Sequence, residues 1–132
     1  MTLVLADTSV WMRRSQASVA EPLAETVEEG RAAMTMPIAL EILRSAHDFR
    51  SARETADQLG ALRRIPITDR VEWRARSVLL ALAGRGYHRG PSPVDLLAAA
   101  AAESAGAELW HCDRHFELIG EVTGQPMLRL GA

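Results

Sequence analysis

The chain has 132 residues, of which 48% are hydrophobic and only 5% are aromatic, and its formal net charge is −2 at pH 7. This length predicts a single domain over residues 1–132, with a core built mainly from aliphatic side chains. The charge excludes a protein that is held to duplex nucleic acid by a strongly basic surface alone, but it leaves nucleic acid open as a partner.

All the basic residues apart from histidine are arginines, and the chain has one cysteine. The lack of lysine excludes P-loop proteins and Schiff-base enzymes, and phospho-aspartate enzymes also use a lysine. The single cysteine, Cys112, excludes an internal disulfide and fits a reducing compartment. We see neither a leader-like segment nor an apolar run that would span a bilayer, and we therefore expect a cytoplasmic protein.

In the first half of the chain, short apolar runs alternate with helical patterns. The first run begins at Leu3 and ends abruptly on Asp7, which predicts a buried strand that delivers a carboxylate at its C-terminal end. Glu41 lies among apolar positions of a later helix, where a carboxylate is costly unless it is paired or binds metal. The remaining segments predict helices over 8–14, 19–30, 37–47 and 49–64 and a strand over 33–36.

The second half continues the alternation. Ser92 before Pro93 predicts a helix start that places Asp95 in the first turn, and an apolar run over 109–112 ends on Asp113. Strands alternating with helices predict an α/β fold with a central parallel sheet of four to five short strands flanked by helices. The other predicted elements are a short strand over 65–67, a helix over 70–83 capped by Thr68 or Asp69, a loop over 84–93, a helical turn over 116–119 and an edge strand over 127–130.

Four carboxylates, Asp7, Glu41, Asp95 and Asp113, follow strands or begin helices in this pattern. The carboxyl ends of parallel strands point the same way, so these groups are expected to meet in one crevice. Carboxylates this close repel one another, and a hard cation such as Mg²⁺ or Mn²⁺ relieves the repulsion. Such an ion suits phosphodiester hydrolysis. Taken singly, Asp7, Asp95 and Asp113 also fit helix caps or first-turn acids that compensate the helix dipole.

These four segments together resemble the successive motifs of the PIN-domain ribonucleases, and the short chain built around them resembles the VapC toxins of toxin–antitoxin modules. The resemblance extends from residue 3 to residue 120. The motifs are Asp7-Thr8-Ser9-Val-Trp11, Glu41-Ile-Leu, Ser92-Pro93-Val-Asp95-Leu-Leu-Ala-Ala and Cys-Asp113-Arg-His-Phe116.

The resemblance implies a PIN-like fold and an endoribonuclease that depends on Mg²⁺ or Mn²⁺. It assigns the metal-binding and catalytic roles to Asp7, Glu41, Asp95 and Asp113, with Thr8 or Ser9 as a hydroxyl beside the metal. It further implies a homodimer and a VapB-type antitoxin that covers the crevice. Many relatives carry an aspartate where this chain has His115, which either contacts RNA phosphate or weakens a second metal site.

Three arginines, Arg85, Arg89 and Arg114, are the candidates for contacts with the RNA backbone, because the planar guanidinium group suits phosphate. We interpret the tryptophans as core or dimer-interface residues, although aromatic rings also stack on unpaired bases. Two alternative functions stay open at this point. The first is a PIN nuclease of RNA processing that has no antitoxin. The second is a degenerate module that binds RNA or protein without cleavage.

Overall fold

A computed structural model describes residues 1–131. Its centre is a five-stranded, fully parallel sheet with the strand order β3-β2-β1-β4-β5, as the alternating pattern predicted. The strands are β1 (Val4–Ala6), β2 (Ala32–Met34), β3 (Arg63–Arg64), β4 (Glu108–His111) and β5 (Met127–Arg129).

The strand order reverses direction at the centre of the sheet. From β1 the chain adds β2 and then β3 on one side, and it then returns to the other side of β1 to add β4 and β5. The register pairs Leu5 with Leu109 and Ala6 with Trp110. The carboxyl ends of β1 and β4 therefore form the topological switch point, where open parallel sheets bind their ligands.

Helices cover both faces of the sheet. Within the described residues they are α1 (Thr8–Trp11), α2 (Ala17–Glu28), α3 (Met36–Arg44), α4 (Phe49–Gly60), α5 (Asp69–Gly84), α6 (Pro93–Ser104) and α7 (His115–Thr123). Thr68, one of the two predicted caps, accepts a hydrogen bond from the amide of Val71 at the start of α5. No helix among residues 1–131 combines the length and the apolar character that crossing a bilayer requires.

Alternation along the central strand divides the core into two layers. Leu5 belongs to the larger layer, beneath α3, α5, α6 and α7, while Val4 and Ala6 face the smaller layer with Val10 and Val19. On the larger side the alanine run of α6 is buried, and these small side chains allow α6 to pack closely against α5 and the sheet. The two faces together hold β1 and β4 rigidly at the centre of the molecule.

Several predicted boundaries were wrong. The helix predicted over 49–64 ends at Gly60, and the third strand is Arg63–Arg64 rather than 65–67. Pro66 lacks an amide hydrogen, so the ladder stops after the amide of Ile65, which still donates to the Met34 carbonyl. The first helix ends at Trp11 instead of residue 14, whereas α7 extends four residues beyond the predicted turn, to Thr123.

Candidate active site

Asp7 and Asp113 follow the two central strands at the switch point. Asp7 comes directly after β1, and its amide donates to the carbonyl of Trp110 in β4 over 2.9 Å. Asp113 lies two residues beyond the end of β4, in the turn that leads into α7. The sheet thus brings two carboxylates that are far apart in sequence to adjacent positions on one edge.

The hydroxyl of Ser9 ties these two strand ends together. It donates to Oδ2 of Asp7 over 2.8 Å and accepts the amide of Cys112 over 3.0 Å. The amide of Ser9 also donates to Oδ2 of Asp7 over 3.0 Å, which makes Asp7 the N-cap of α1. One oxygen of the Asp7 carboxylate is therefore fixed by the short helix that follows it.

The other oxygen of Asp7 has no partner in the described part of the chain. The residue is only 4% exposed, and its Oδ1 atom accepts no hydrogen bond. Burial raises the pKa of the Asp7 carboxyl, although the hydrogen bonds from Ser9 act in the opposite direction, and the charge of Glu41 adds to the rise. A buried carboxylate oxygen without a partner is costly, and a bound cation is one way to satisfy it.

Asp95 is both a capping residue at the start of α6 and a member of the acidic site, two roles that the sequence analysis treated as alternatives. Its side chain accepts the amide of Ser92 over 2.9 Å while its own amide donates to the Ser92 hydroxyl over 3.1 Å, so the pair forms a capping box at the start of α6. Burial raises the pKa of Asp95, and the charges of Asp7 and Asp113 raise it further. The cap therefore holds Asp95 within the electrostatic field of the other two aspartates.

Glu41 does not lie in the core, and the prediction that it sits among buried apolar positions was wrong. Ile38 and Ile42 are buried, but Glu41 is exposed because it occupies the side of α3 that faces the end of β1. There its Oε1 accepts the hydroxyl of Thr8 over 2.6 Å, and its charge contributes to the raised pKa of Asp7. Thr8 thus links the fourth acid to the same edge of the sheet.

The residues at this edge fit a hard divalent cation. Within residues 1–131, no three carboxylate, imidazole or thiol side chains enclose a common point tightly enough to hold an ion by themselves. Mg²⁺ retains several waters and takes one or two carboxylates, so a fully closed protein cage is not needed. A cation there would satisfy the unpartnered Oδ1 of Asp7 and would relieve the repulsion of Asp95 by Asp7 and Asp113.

His115 lies against Asp113. Its amide donates to Oδ1 of Asp113 over 3.0 Å, and its Nδ1 lies 3.5 Å from the same oxygen. His111 accepts the amide of Asp113 through its own Nδ1 over 3.3 Å, and burial lowers the pKa of this imidazole. Both histidines therefore fix the turn that carries Asp113.

Two of the three candidate arginines lie beside this turn. Arg89 and Arg114 line a groove of about 370 Å³, together with His115. The groove lies between α7 and the glycine-rich loop, residues 85–92, which connects α5 to α6. Arg85 lies at the edge of this loop, with its Nη1 4.0 Å from Glu121. Sequence reasoning missed Tyr87, which lines the same groove, although an aromatic residue between two glycine-flanked arginines was a usable signal.

Replacing Ser9 with alanine will lower the free energy of unfolding by about 1–3 kcal/mol, because the buried amide of Cys112 loses its acceptor and Asp7 loses a donor. Urea denaturation measures the change. Ser77→Ala, at an exposed position of α5, is the matched control and is expected to stay within about 0.5 kcal/mol of the parent. Equal stability of the two variants would contradict this role for Ser9.

The strand order, the parallel register and the carboxylates at the switch point define an α/β protein with an acidic site at the centre of its sheet edge. A family model described as PIN domain matches residues 4–122. The chain belongs to the PIN domain family.

Similar proteins cover nearly the whole chain. Ribonuclease VapC2 of Mycobacterium tuberculosis (strain CDC 1551 / Oshkosh) is 38% identical over 128 residues, which are 96% of this chain and 91% of that relative. Ribonuclease VapC18 of Mycobacterium tuberculosis (strain ATCC 25618 / H37Rv) is 34% identical over 122 residues, which are 91% of this chain and 89% of the relative.

Solved structures show the same fold at low identity. VapBC2 from Rickettsia felis, bound to a DNA fragment from their promoter, has a TM-score of 0.78 and 13% identity, and the match covers 98% of this chain and all of that one. VapBC-5 from Mycobacterium tuberculosis, a member of the VapBC family of toxin–antitoxin systems, has a TM-score of 0.65, 19% identity and complete coverage of both chains. The PIN-like architecture expected from the sequence is thereby confirmed.

Proposed function

We propose that this chain is an endoribonuclease of the PIN family that hydrolyses RNA phosphodiester bonds as the toxin of a VapBC-type module. The names of the relatives at 38% and 34% identity describe ribonucleases, and both alignments span about nine-tenths or more of the chain. The observation that carries the proposal is the buried, unpartnered Oδ1 of Asp7 beside Asp95 and Asp113 at the switch point.

In this proposal Asp7, Glu41, Asp95 and Asp113 are the metal-binding and catalytic residues, and the ion is Mg²⁺ or Mn²⁺. One or two of the four carboxylates would contact the ion directly, and the others would bind it through its waters. When bound, such an ion activates water at neutral pH and stabilises the negative charge that develops on the phosphate. The protein holds the carboxylates in place and leaves them without lysine or arginine partners of their own. None of the ion pairs between residues 1 and 131 uses an arginine to neutralise any of the four acids.

The supporting residues orient these acids and the substrate. Thr8 holds Glu41, Ser9 holds Asp7, and His115 lies against Asp113 on the side of the arginines. Arg85, Arg89 and Arg114 are proposed to hold the RNA backbone, which offsets the repulsion between phosphate and the acidic site. The expected products carry a 5′-phosphate and a 3′-hydroxyl.

The proposed protein partner comes from one of the similar solved structures. Because VapBC-5 belongs to the VapBC family of toxin–antitoxin systems, we propose a cognate VapB-type antitoxin for this chain. We also retain a homodimer, a single PIN domain over residues 1–132 and a cytoplasmic location as proposals. Size-exclusion chromatography with light scattering measures the oligomeric state.

Incubation with RNA tests the activity directly. The purified chain is expected to cleave RNA in the presence of Mg²⁺ or Mn²⁺ and to stop when EDTA is added. Sequencing the ends of the fragments identifies the cleavage positions and the products. RNA that is bound but never cleaved, with any divalent ion, would instead support a degenerate binding module and contradict the proposal.

Metal binding has a separate readout in thermal stability. A ligand at 100 times its dissociation constant stabilises the folded state by about 2.7 kcal/mol, so Mn²⁺ is expected to raise the melting midpoint by several degrees. Glu41→Gln will weaken this shift, whereas Glu54→Gln, at an exposed position of α4, will retain it. An identical Mn²⁺ response in both variants would remove Glu41 from the set of ligands.

A further inference from the structure

The groove between the glycine-rich loop and α7 opens directly beside the acidic site. Arg114 follows Asp113 in the chain, and the imidazole of His115 is 3.5 Å from an Asp113 oxygen. The opposite wall of the groove is formed by Gly86, Tyr87, Arg89 and Gly90 of the loop. An RNA strand that lies over Asp113 therefore meets the groove at the adjacent residues, Arg114 and His115.

The loop is held firmly, so the groove is a formed feature. The amide of Tyr87 donates to the Leu82 carbonyl over 2.9 Å, and the amide of Gly90 donates to the Tyr87 carbonyl over 3.3 Å. Gly90 packs so closely on α7 that an added Cβ would lie 3.3 Å from Cδ2 of His115 and 3.4 Å from Cδ1 of Leu118. These contacts fix where Tyr87 stands relative to Asp113.

The lining of the groove combines an aromatic ring with charged groups of both signs. Its two carboxylates, Glu117 and Glu121, lie 2.8 Å from Arg129 and 4.0 Å from Arg85. Tyr87 is 50% exposed, although it is large and partly apolar. Neither Arg89 nor Arg114 forms an ion pair with any carboxylate in the part of the chain that the structure describes. The apolar side chain of Leu118 contributes to the floor. Proteins bind single-stranded nucleic acid with exposed aromatic rings, on which bases stack, and with guanidinium groups, which contact phosphates. The groove presents both kinds of group.

We propose that this groove binds one unpaired nucleobase of the RNA next to the cleaved bond, with Tyr87 as the stacking surface and Arg89 and Arg114 on the flanking phosphates. This inference rests on the proposed nuclease function and adds the residues that hold the base beside the cleaved bond. A base in an A-form duplex is already stacked between its neighbours and cannot enter the groove.

The test measures binding of a randomised, fluorescein-labelled single-stranded RNA pool by fluorescence anisotropy, with cleavage blocked by Asp7→Asn in every protein. Tyr87→Ala is expected to weaken binding about tenfold, because loss of one stacked base has an effect of this order. Tyr87→Phe keeps the ring and should bind like the parent. Trp73→Ala removes an aromatic residue that is 65% exposed on α5 and does not line the groove, and it should have no effect.

Salt dependence separates stacking from charge. Tyr87→Ala should leave the slope of log K against log salt unchanged, while Arg114→Gln should reduce it by about 0.7, the value for one phosphate contact on a single strand. With a fully paired RNA duplex, Tyr87→Ala should bind as tightly as its parent. Binding of the single strand that is unaffected by Tyr87→Ala would overturn the inference.

The outcomes also distinguish this inference from the proposed function. If the wild-type chain neither binds nor cleaves RNA, the function itself fails; if it cleaves RNA and Tyr87→Ala changes nothing, only the groove assignment fails. An acidic protein segment is the other candidate occupant of a groove that contains arginines. Binding of a hexaglutamate peptide that depends on Arg89, without any dependence of RNA binding on Tyr87, would assign the groove to such a segment and overturn the proposal.

Discussion

Asp7→Asn will reduce RNA cleavage by about 10³-fold while leaving the protein folded. Asparagine retains the shape of the side chain and the hydrogen bonds that Ser9 donates to Oδ2. It removes the charge that would bind the metal, and a metal ion contributes several kcal/mol of charge stabilisation in the transition state, each 1.4 kcal/mol being about tenfold in rate. Single-turnover cleavage of RNA at saturating enzyme measures the change.

Asp57→Asn is the matched control, because Asp57 is an exposed aspartate on α4 outside the site. Its cleavage rate is expected to equal that of the wild type. If Asp7→Asn cleaves RNA at a comparable rate, Asp7 is not a metal ligand and the assignment of the site is wrong.

The same variant will be more stable than the wild type when both are free of metal at neutral pH. Burial raises the pKa of Asp7, so the folded state binds its proton more tightly than the unfolded state does. The stability that the protonated carboxyl contributes is fully present below the ordinary pKa of the unfolded chain. It is lost as the pH rises through the raised pKa of Asp7 in the folded protein. Asparagine is neutral at every pH and does not incur this loss.

Melting curves in EDTA over a pH series test the sign. The difference in midpoint between Asp7→Asn and the wild type should grow as the pH rises through the raised pKa of Asp7, and then remain constant. Mn²⁺ should reverse the order, since it stabilises only the protein that retains the carboxylate. A difference that shrinks with rising pH would contradict the proposed burial of an ionised Asp7.

The central strands and their terminal acids were predictable because the relevant signals are local. An apolar run that ends on a carboxylate marks both β1 with Asp7 and β4 with Asp113, and the Ser92-Pro93 start places Asp95. That these acids share one edge follows from parallel strand direction alone. The apolar runs that end on carboxylates and the Ser92-Pro93 helix start therefore predicted the sheet and three of the four acids of the candidate site.

The failures involve long-range contacts. Glu41 was placed in the core because its neighbours in α3 are apolar, whereas it lies on the exposed side of α3 and accepts a hydrogen bond from Thr8, 33 residues earlier in the chain. The third strand was shifted onto 65–67, where apolar residues occur, but pairing with β2 uses the two exposed arginines before them. The groove around Tyr87 forms only when the loop meets α7, and no spacing in the sequence encodes that contact.

Phe116→Ala will lower the free energy of unfolding by about 3–5 kcal/mol, the usual cost of deleting a buried phenylalanine ring. Phe116 is fully buried at the start of α7, in the larger core layer, and its ring centroid is 5.2 Å from that of His111. Because domains are stable by only about 5–15 kcal/mol, this one truncation removes a large part of the total. Urea denaturation measures the midpoint and the slope.

Phe49→Ala provides an unusually close control, since the chain contains only these two phenylalanines and Phe49 is 81% exposed at the start of α4. Its unfolding free energy should lie within about 0.5 kcal/mol of the wild type, as for other surface changes. The same chemical deletion thus tests burial alone. Because α7 begins two residues after Asp113, we also expect Phe116→Ala to weaken the stabilisation by Mn²⁺, whereas Phe49→Ala will leave it intact. Equal losses of stability in the two variants would show that the core is not organised around the start of α7.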